Sequence, residues 1–431
     1  MKATVRQSCP DCGGSVEDDP GFVTWCTRCE WGLGGPAEAP PPAGRSDRAA
    51  ARTVTRMYEE VAASGAEPAS RPAGRDLART AACAFAVGVH VLSVVPAVGG
   101  IVLVAFVPNA VTAVFAALLL LSLVPLRPRL GRVPAGALTA DDAPELLGLL
   151  ERIAREAGAP PVRHVVFSTG FHAGYAVVGA RRTPVLVIGL RLWSVLPGPQ
   201  RVALLAHELG HGANGDPRHT VATCTALDTL ARLHHACRPR DRDRRGPAGP
   251  AGSLVRAVTL LASGVAAAAR SAGRGVFGVL RRALLLLTLR AAQRAEYLAD
   301  ERAARVASAA ETARMLDALV VAGDTCETAA RRHAFSRERG DLWEHLRDAV
   351  AALPVGERER RRRIAERQRA RVDDSHPPTH LRHAFVACLP FEEPAVRVEP
   401  ARWDAIEREL SAEYRRAAAC LAADLRRTAG T

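Results

Sequence analysis

The stretch 204-LLAHELGHGANGD-216 places His207 and His211 four residues apart, with Glu208 directly after the first. Pro199 stands where a helix can begin, because its missing N–H costs nothing in a first turn. Asn214-Gly215 stands where one should end. Between them Val202, Leu205, Ala206 and Leu209 recur at three- and four-residue spacing, the mark of one buried stripe. At ~100° per residue, His207 lies about 200° around the helix from both Leu205 and Leu209. His211 stacks one turn above it. Both imidazoles therefore leave one face, away from the apolar stripe. Two nitrogen ligands of a single zinc ion need that placement, with Glu208 beside them to take a proton from water. The motif is short enough to arise by chance on a surface helix, so the reading requires a third ligand elsewhere in the chain.

At 431 residues the chain can hold two or three domains and a substantial core. A formal charge of +13 favours nucleic acid or anionic lipid at first sight. Lys2 is the lone lysine, however, and the remaining basic residues are arginines in a chain rich in Ala, Gly and Pro. Coding bias explains that skew better than phosphate contacts do. Aromatic residues are 4% of the chain, too few for interleaved base-stacking platforms, so nucleic acid is not the expected partner.

Four of the ten cysteines form two C-x-x-C pairs, Cys9/Cys12 and Cys26/Cys29, and the other six are scattered. Gly13 and Gly32 fall just beyond the pairs, where they let backbone N–H groups turn toward thiolates, and Val23, Thr24 and Trp25 supply a short strand between them. Residues 1–35 thus read as a zinc ribbon around one structural zinc held by four cysteines, with an unknown partner. A secreted disulfide framework is excluded by the scatter, and the N-terminus shows no basic-then-apolar signal peptide.

Residues 36–76 are rich in Pro, Ala, Gly and Arg and read as a flexible linker, with a short helical piece around Val54–Val61. From Thr80 to Leu126 there is no Asp, Glu, Lys or Arg. One crossing takes about 20 apolar residues, so 77–127 reads as a transmembrane helical hairpin, turning near Pro96–Gly100 or at Pro108-Asn109. Arg71, Arg75 and Arg79 precede it and Arg127, Arg129 and Arg132 follow, which puts both ends in the cytosol. A second apolar region, 254–290, is divided by Arg270, Arg274, Arg281 and Arg282. It reads either as an interfacial or re-entrant helical hairpin or as two further crossings. Between these regions lie a periodic helix over 141–158 and two strands, HVVFS (164–168) and PVLVIG (184–189). Beyond residue 291 the chain reads as almost wholly helical.

In 293-QRAEYLADERAA-304, Glu296 and Asp300 are one helical turn apart. Spacing alone makes Glu296 a solvated helix-face charge more often than a ligand. The order of motifs changes that. PVLVIG leading into ALLAHELGHGANGD, then RAEYLADERAA, then 375-SHPPTHLR-382 resembles the M48 family of membrane-associated zinc metallopeptidases, the group of bacterial HtpX-like and eukaryotic CAAX-processing proteases. The resemblance covers about residues 75–385. It implies a mainly α fold with a small β-sheet and a gluzincin-type metallopeptidase domain over 135–390 behind the hairpin; residues 391–431, outside the resemblance, read as a C-terminal helical segment. It implies His207, His211 and Glu296 as ligands of a catalytic zinc, Glu208 as general base and Asp300 as a carboxylate that orients a histidine ligand. It further implies that His376, in His376-Pro377-Pro378-Thr379, helps stabilise the oxyanion, and Arg382 matches a basic residue the family often carries. His172-Ala173-Gly174-Tyr175 stands where the family often has Asn-Ala-x-Ala ahead of its edge strand.

The expectation is a membrane-anchored zinc endopeptidase that activates water against a peptide carbonyl, with PVLVIG as the edge strand that receives an extended polypeptide. A bacterial cytoplasmic membrane would hold it as a multi-pass protein, with ribbon and catalytic domain facing the cytosol and the lipid bilayer as a second partner. Substrates stay open among misfolded membrane proteins, as in quality control, a specific regulator and a signalling peptide. The alternative is a membrane-tethered zinc-ribbon binding or scaffold protein with a latent protease domain.

Overall fold

The computed structural model describes residues 5–19, 21–34, 45–63, 77–123, 131–179, 181–213, 216–238, 253–336, 340–367 and 376–429. It is mainly helical with two small sheets. In chain order, β1 (Val5–Ser8) and β2 (Ser15–Asp18) precede α1 (Arg45–Ala63), α2 (Leu77–Phe106), α3 (Ala110–Leu123) and α4 (Pro144–Ala157). Then come β3 (His164–Ser168), β4 (Ala173–Val178), β5 (Thr183–Gly189), α5 (Leu190–Val195), α6 (Gly198–Ala213), α7 (Asp216–Ala236) and α8 (Ser253–Ala307). The remainder is α9 (Ala309–Val321), α10 (Gly323–Phe335), α11 (Leu342–Ala351), α12 (Val355–Arg367), α13 (Thr379–Ala387), α14 (Pro400–Glu409) and α15 (Ser411–Ala429). Two compact units result, one of residues 1–72, 131–217 and 292–431, the other of 73–130 and 218–291.

The first unit is built on a three-stranded sheet in the order β3-β5-β4, with β3 parallel and β4 antiparallel to β5. PVLVIG is therefore the central strand and not the expected edge; the outer strands are β3, which Leu138 bridges at Val165, and β4. The reason lies in its composition. Val185, Leu186 and Ile188 are buried on both faces of the strand, which a near-continuous apolar run signals. Below the sheet, α4 buries Leu146, Leu149, Leu150 and Ile153 on one stripe, starting at Pro144 and ending on Gly158 in the left-handed region. The C-terminal helices α14 and α15 and the turn between them send Ile406, Leu410, Leu421 and Leu425 into this same core, so 391–431 packs as part of the first unit.

Two expectations for the N-terminal region change. The linker contains a 19-residue helix, α1, because Val54, Met57, Tyr58 and Val61 fall at i, i+3, i+4 and i+7. Met57 and Val61 enter the core, and Tyr58 lies 6.5 Å from the ring of Tyr297. Residues 35–44 and 64–76 of the linker lie outside the described residues. In the segment expected as a ribbon, β1 pairs with β2 across the first cysteine pair, while residues 23–25 form no strand. Trp25 instead turns inward and donates its Nε1–H to the Gly356 carbonyl at 3.2 Å.

The second unit holds α2, α3, α7 and most of α8. The turn between α2 and α3 is at Pro108-Asn109, where Asn109 Oδ1 accepts from the Thr112 N–H at 2.9 Å and Thr112 Oγ1 accepts from the Asn109 N–H at 3.2 Å. Gly100 lets the two helices approach, since a Cβ there would lie 3.3 Å from Ala116 Cα. Among the described residues no helix is long and apolar enough to cross a membrane. The 14 residues of α3 rise about 21 Å, short of a hydrocarbon core of ~30 Å. The side chains of Ser93, Pro96 and Ala97, and all of 124–130, lie outside the described residues of the expected hairpin. Even so, the outer face is apolar, with Leu92, Phe106 and Val111 from 71% to 82% exposed.

Residues 254–290, expected as a hairpin, are instead part of one 55-residue helix, α8. The arginines that divide its apolar runs do not interrupt a helix, because arginine is a strong helix former. No proline occurs between 253 and 307.

Candidate metal centre

Helix α6 is buried from Arg201 through Gly210, on all sides. The face that carries the histidines is thus not solvent-exposed, as the stripe argument expects, but covered by the last turns of α8. Gly210 makes that cover possible. A Cβ at this position would stand 3.0 Å from Ala299 Cα and 3.3 Å from Ala299 Cβ, so only glycine brings α6 and α8 this close.

The packing aligns Glu296 with both histidines. Glu296 Oε2 is 3.5 Å from His207 Nε2, and its Oε1 is 3.4 Å from His211 Nε2. Ligands bound at about 2.1 Å to a tetrahedral zinc stand about 3.4 Å apart, the edge of that tetrahedron. All three ligand atoms lie within 4.8 Å of one another, and the group could hold a metal ion. Glu208 is buried beside them at 7% exposure.

The surrounding groups orient this set. Asp300 Oδ1 lies 2.9 Å from His207 Nδ1, which fixes the ring so that Nε2 faces Glu296. Arg382, on α13, pairs with Asp300 through Nε at 2.8 Å and Nη2 at 2.7 Å, and its Nη1 is 3.5 Å from Glu296 Oε2. His376 Nδ1 is 2.8 Å from the same Glu296 oxygen, with its ring more than half exposed. Burial alone would raise the Glu296 and Asp300 carboxyls; the Arg382 charge and the histidine hydrogen bonds override it and hold both low. Burial and Arg382 oppose charge on His207, yet its hydrogen bonds to the Asp300 and Glu296 carboxylates push it up to about 10. A metal ion would take the place of that proton.

The four N-terminal cysteines, Cys9, Cys12, Cys26 and Cys29, form a second group that could hold a metal. Cys9 and Cys29 sulfurs are 3.5 Å apart, and those of Cys12 and Cys26 are 3.6 Å apart. Those separations approach the tetrahedral edge of about 3.8 Å for bonds of ~2.3 Å to zinc. The backbone N–H of Cys29 brings Cys26 down to about 6. Gly32, with φ +75°, admits no side chain, since a Cβ would lie 2.5 Å from the Thr24 carbonyl oxygen.

The structure therefore brings together His207, His211, Glu296, Glu208, Asp300 and His376, and separately Cys9, Cys12, Cys26 and Cys29. Sequence reasoning gives Arg382 no task beyond a family match. The one signal for it is a lone charge in THLRHAFVA, a helix otherwise made of apolar residues, histidines and a threonine. Tyr175 enters the sequence argument only as a departure from the family pattern. It sits on β4 against α6, where a Cβ on Gly212 would be 2.8 Å from its Cζ.

Replacing Gly210 with Ala should separate α6 from α8, because the clash is with main chain and cannot be relieved by a side-chain rotation. Overpacking of this kind costs about 1–3 kcal/mol. Zinc affinity at the histidine site should fall by about fivefold to a hundredfold if that cost falls on the metal-bound arrangement, since ~1.4 kcal/mol is tenfold in a binding constant. Competition with a zinc-chelating dye measures it, and an unchanged affinity would refute the close-packing argument.

No curated protein and no solved structure matches the chain. Residues 140–387, more than half of its length, match the sequence profile of peptidase family M48, a match that implies zinc metalloprotease activity. The matched span contains the whole histidine–glutamate site together with Asp300, His376 and Arg382, and on that basis the chain belongs to peptidase family M48.

Proposed function

We propose that the chain is a zinc endopeptidase of the cytoplasmic membrane that hydrolyses extended or unfolded polypeptides. The observation that carries the reading is that His207, His211 and Glu296 bring one ligand atom each within 4.8 Å of one another, with Glu208 buried next to the first histidine. These three residues would hold the catalytic ion. Zinc, when bound, acidifies a water molecule and polarises the carbonyl that the water attacks.

The rest is done by the chain's own residues. Glu208 accepts the water's proton and delivers it to the departing amine. Asp300 holds His207 through Nδ1, and Arg382 neutralises Asp300 and the rear of Glu296. His376, at the open side of Glu296, offers a ring N–H to the oxyanion that develops on the carbonyl. The edge of β4 not paired with β5 receives the substrate main chain, with Tyr175 marking the end nearest His211.

Membrane attachment is supported by the exposed apolar faces of α2 and α3 and by the arginines that flank residues 80–126 in sequence. In this reading residues 77–127 enter the bilayer, and the ribbon, with its own structural zinc on four cysteines, stays with the catalytic unit in the cytosol. Removal of misfolded membrane proteins fits a site that takes main chain rather than particular side chains.

Full-length protein purified in detergent should cleave an unfolded model protein. The activity should disappear with a chelator and return with zinc. Failure to cleave, with the histidine site shown by metal analysis to be loaded, would overturn the peptidase reading.

A further inference from the structure

Helix α12 carries six arginines, Arg358, Arg360, Arg361, Arg362, Arg363 and Arg367, within thirteen residues. Glu357 and Glu359 answer part of that charge from within the helix, and the remaining donors find acceptors on more than one side. On one side Arg361 donates to Thr325 Oγ1 at 2.7 Å and to the Val321 carbonyl, and Arg362 Nη2 donates to Asp317 at 2.8 Å. The other side is met by the ribbon. Arg360 Nη1 donates to the Leu33 carbonyl at 2.9 Å and Arg363 Nη1 to the Thr27 carbonyl at 2.7 Å. Glu30 pairs with Arg363 and Arg367. The Arg363 guanidinium lies 5.2 Å over the Trp25 ring, whose N–H reaches the first turn of α12.

Thr27, Glu30 and Leu33 all belong to the loop around the second cysteine pair. That loop is shaped by the Cys26 N–H donating to the Trp31 carbonyl and the Glu30 N–H donating to the Cys26 carbonyl. Glu30 itself is left-handed, at φ +62°. The three acceptors therefore point at α12 only while the loop is closed on its thiols, the state a bound metal enforces. Helix α12 in turn touches α13, where the His380 ring meets the main chain of Ala365. Two residues further on is Arg382, bonded to Asp300.

We propose that the ribbon is a positioning clamp: by holding α12 it sets α13, and with it His376 and Arg382, against the metal-binding side chains. Trp25, Glu30, Arg360 and Arg363 are then positioning residues for catalysis, although none touches substrate. The inference rests on the peptidase reading for its kinetic consequence, and on geometry alone for the mechanical one.

The test uses the full chain in detergent with three variants: Cys26→Ser, which opens the loop; Glu30→Arg, which keeps four cysteines but breaks the contact; and Glu30→Arg with Arg367→Glu, which restores the 30–367 pair with charges exchanged and leaves Arg363 on Thr27 and Trp25. Hydrogen exchange should rise in α12 and also in α13 for the first two variants, and return toward wild type in the third. Glu30→Arg should retain both zinc ions. It should also lower kcat by roughly threefold to thirtyfold, the span of such couplings, with KM for an unfolded protein unchanged and kcat recovered by the charge exchange. Exchange that rises only within the ribbon, or a kcat indifferent to Glu30→Arg, would overturn the clamp. The exchange measurement is decisive even for a chain that cleaves nothing, so loss of the peptidase reading and loss of the clamp are distinguishable.

Discussion

Glu208→Gln should lower the rate of peptide cleavage by about 10²–10⁴-fold, the usual worth of a positioned general base, and leave the zinc content unchanged. The amide has nearly the same volume, so the buried site keeps its packing, and Glu208 is not among the three groups that could hold the catalytic ion. What the variant loses is the capacity to take a proton from water and hand it to the leaving nitrogen. Glu208 also contributes to the field that favours charge on Arg382, a lesser effect because Asp300 and Glu296 remain. Single-turnover cleavage of an unfolded protein and metal analysis of the same preparation are the measurements. A rate within about tenfold of wild type would remove Glu208 from the role of base.

The second large effect is one of stability. Arg382→Met strands the fully buried Asp300 carboxylate, whose two oxygens are both held by that guanidinium. Breaking one partner of a buried pair costs about 3–5 kcal/mol, a large fraction of an ordinary domain's stability. The double variant Asp300→Asn with Arg382→Met should recover much of the loss, because no carboxylate is then stranded at position 300 and Glu296 keeps its histidine partners. It should still bind zinc more weakly than wild type, since the His207 ring has lost the carboxylate that holds Nδ1. Thermal unfolding of the zinc-stripped forms reads the first effect, and dye competition the second. A single variant as stable as the double would show that Asp300 and Arg382 are not an interdependent pair.

The parts of this site that are close in sequence are legible in it. His207, Glu208 and His211 are fixed by helical spacing alone, and the four-cysteine group by two short pairs. Glu296 is legible only through its order among other motifs, because nothing local distinguishes a ligating glutamate from a solvated one. Arg382 shows itself only as a lone charge in its helix, with no pointer to its partner, which is 82 positions away. The strand order differs from the expected one although the sequence holds its reason: PVLVIG has no polar face, and a strand without one belongs in the middle of a sheet. In α8 the arginines are ends of apolar runs and not ends of a helix, which is why a hairpin was expected where one helix stands. Helix α1 is longer than its expected piece because its stripe is set in a Pro- and Ala-rich background that masks periodicity.

The exposed edge of β4 has a consequence for what the proposed enzyme can distinguish. A sheet edge bonds to peptide N–H and C=O groups, which every chain carries, and these are engaged within the substrate's own helices and sheets until it opens locally. Cleavage would then be governed by the free energy of that opening, with each ~1.4 kcal/mol of local stability in the substrate slowing its destruction about tenfold. Two proteins with the same sequence at the cleaved bond would survive for different times according to how firmly each is folded there.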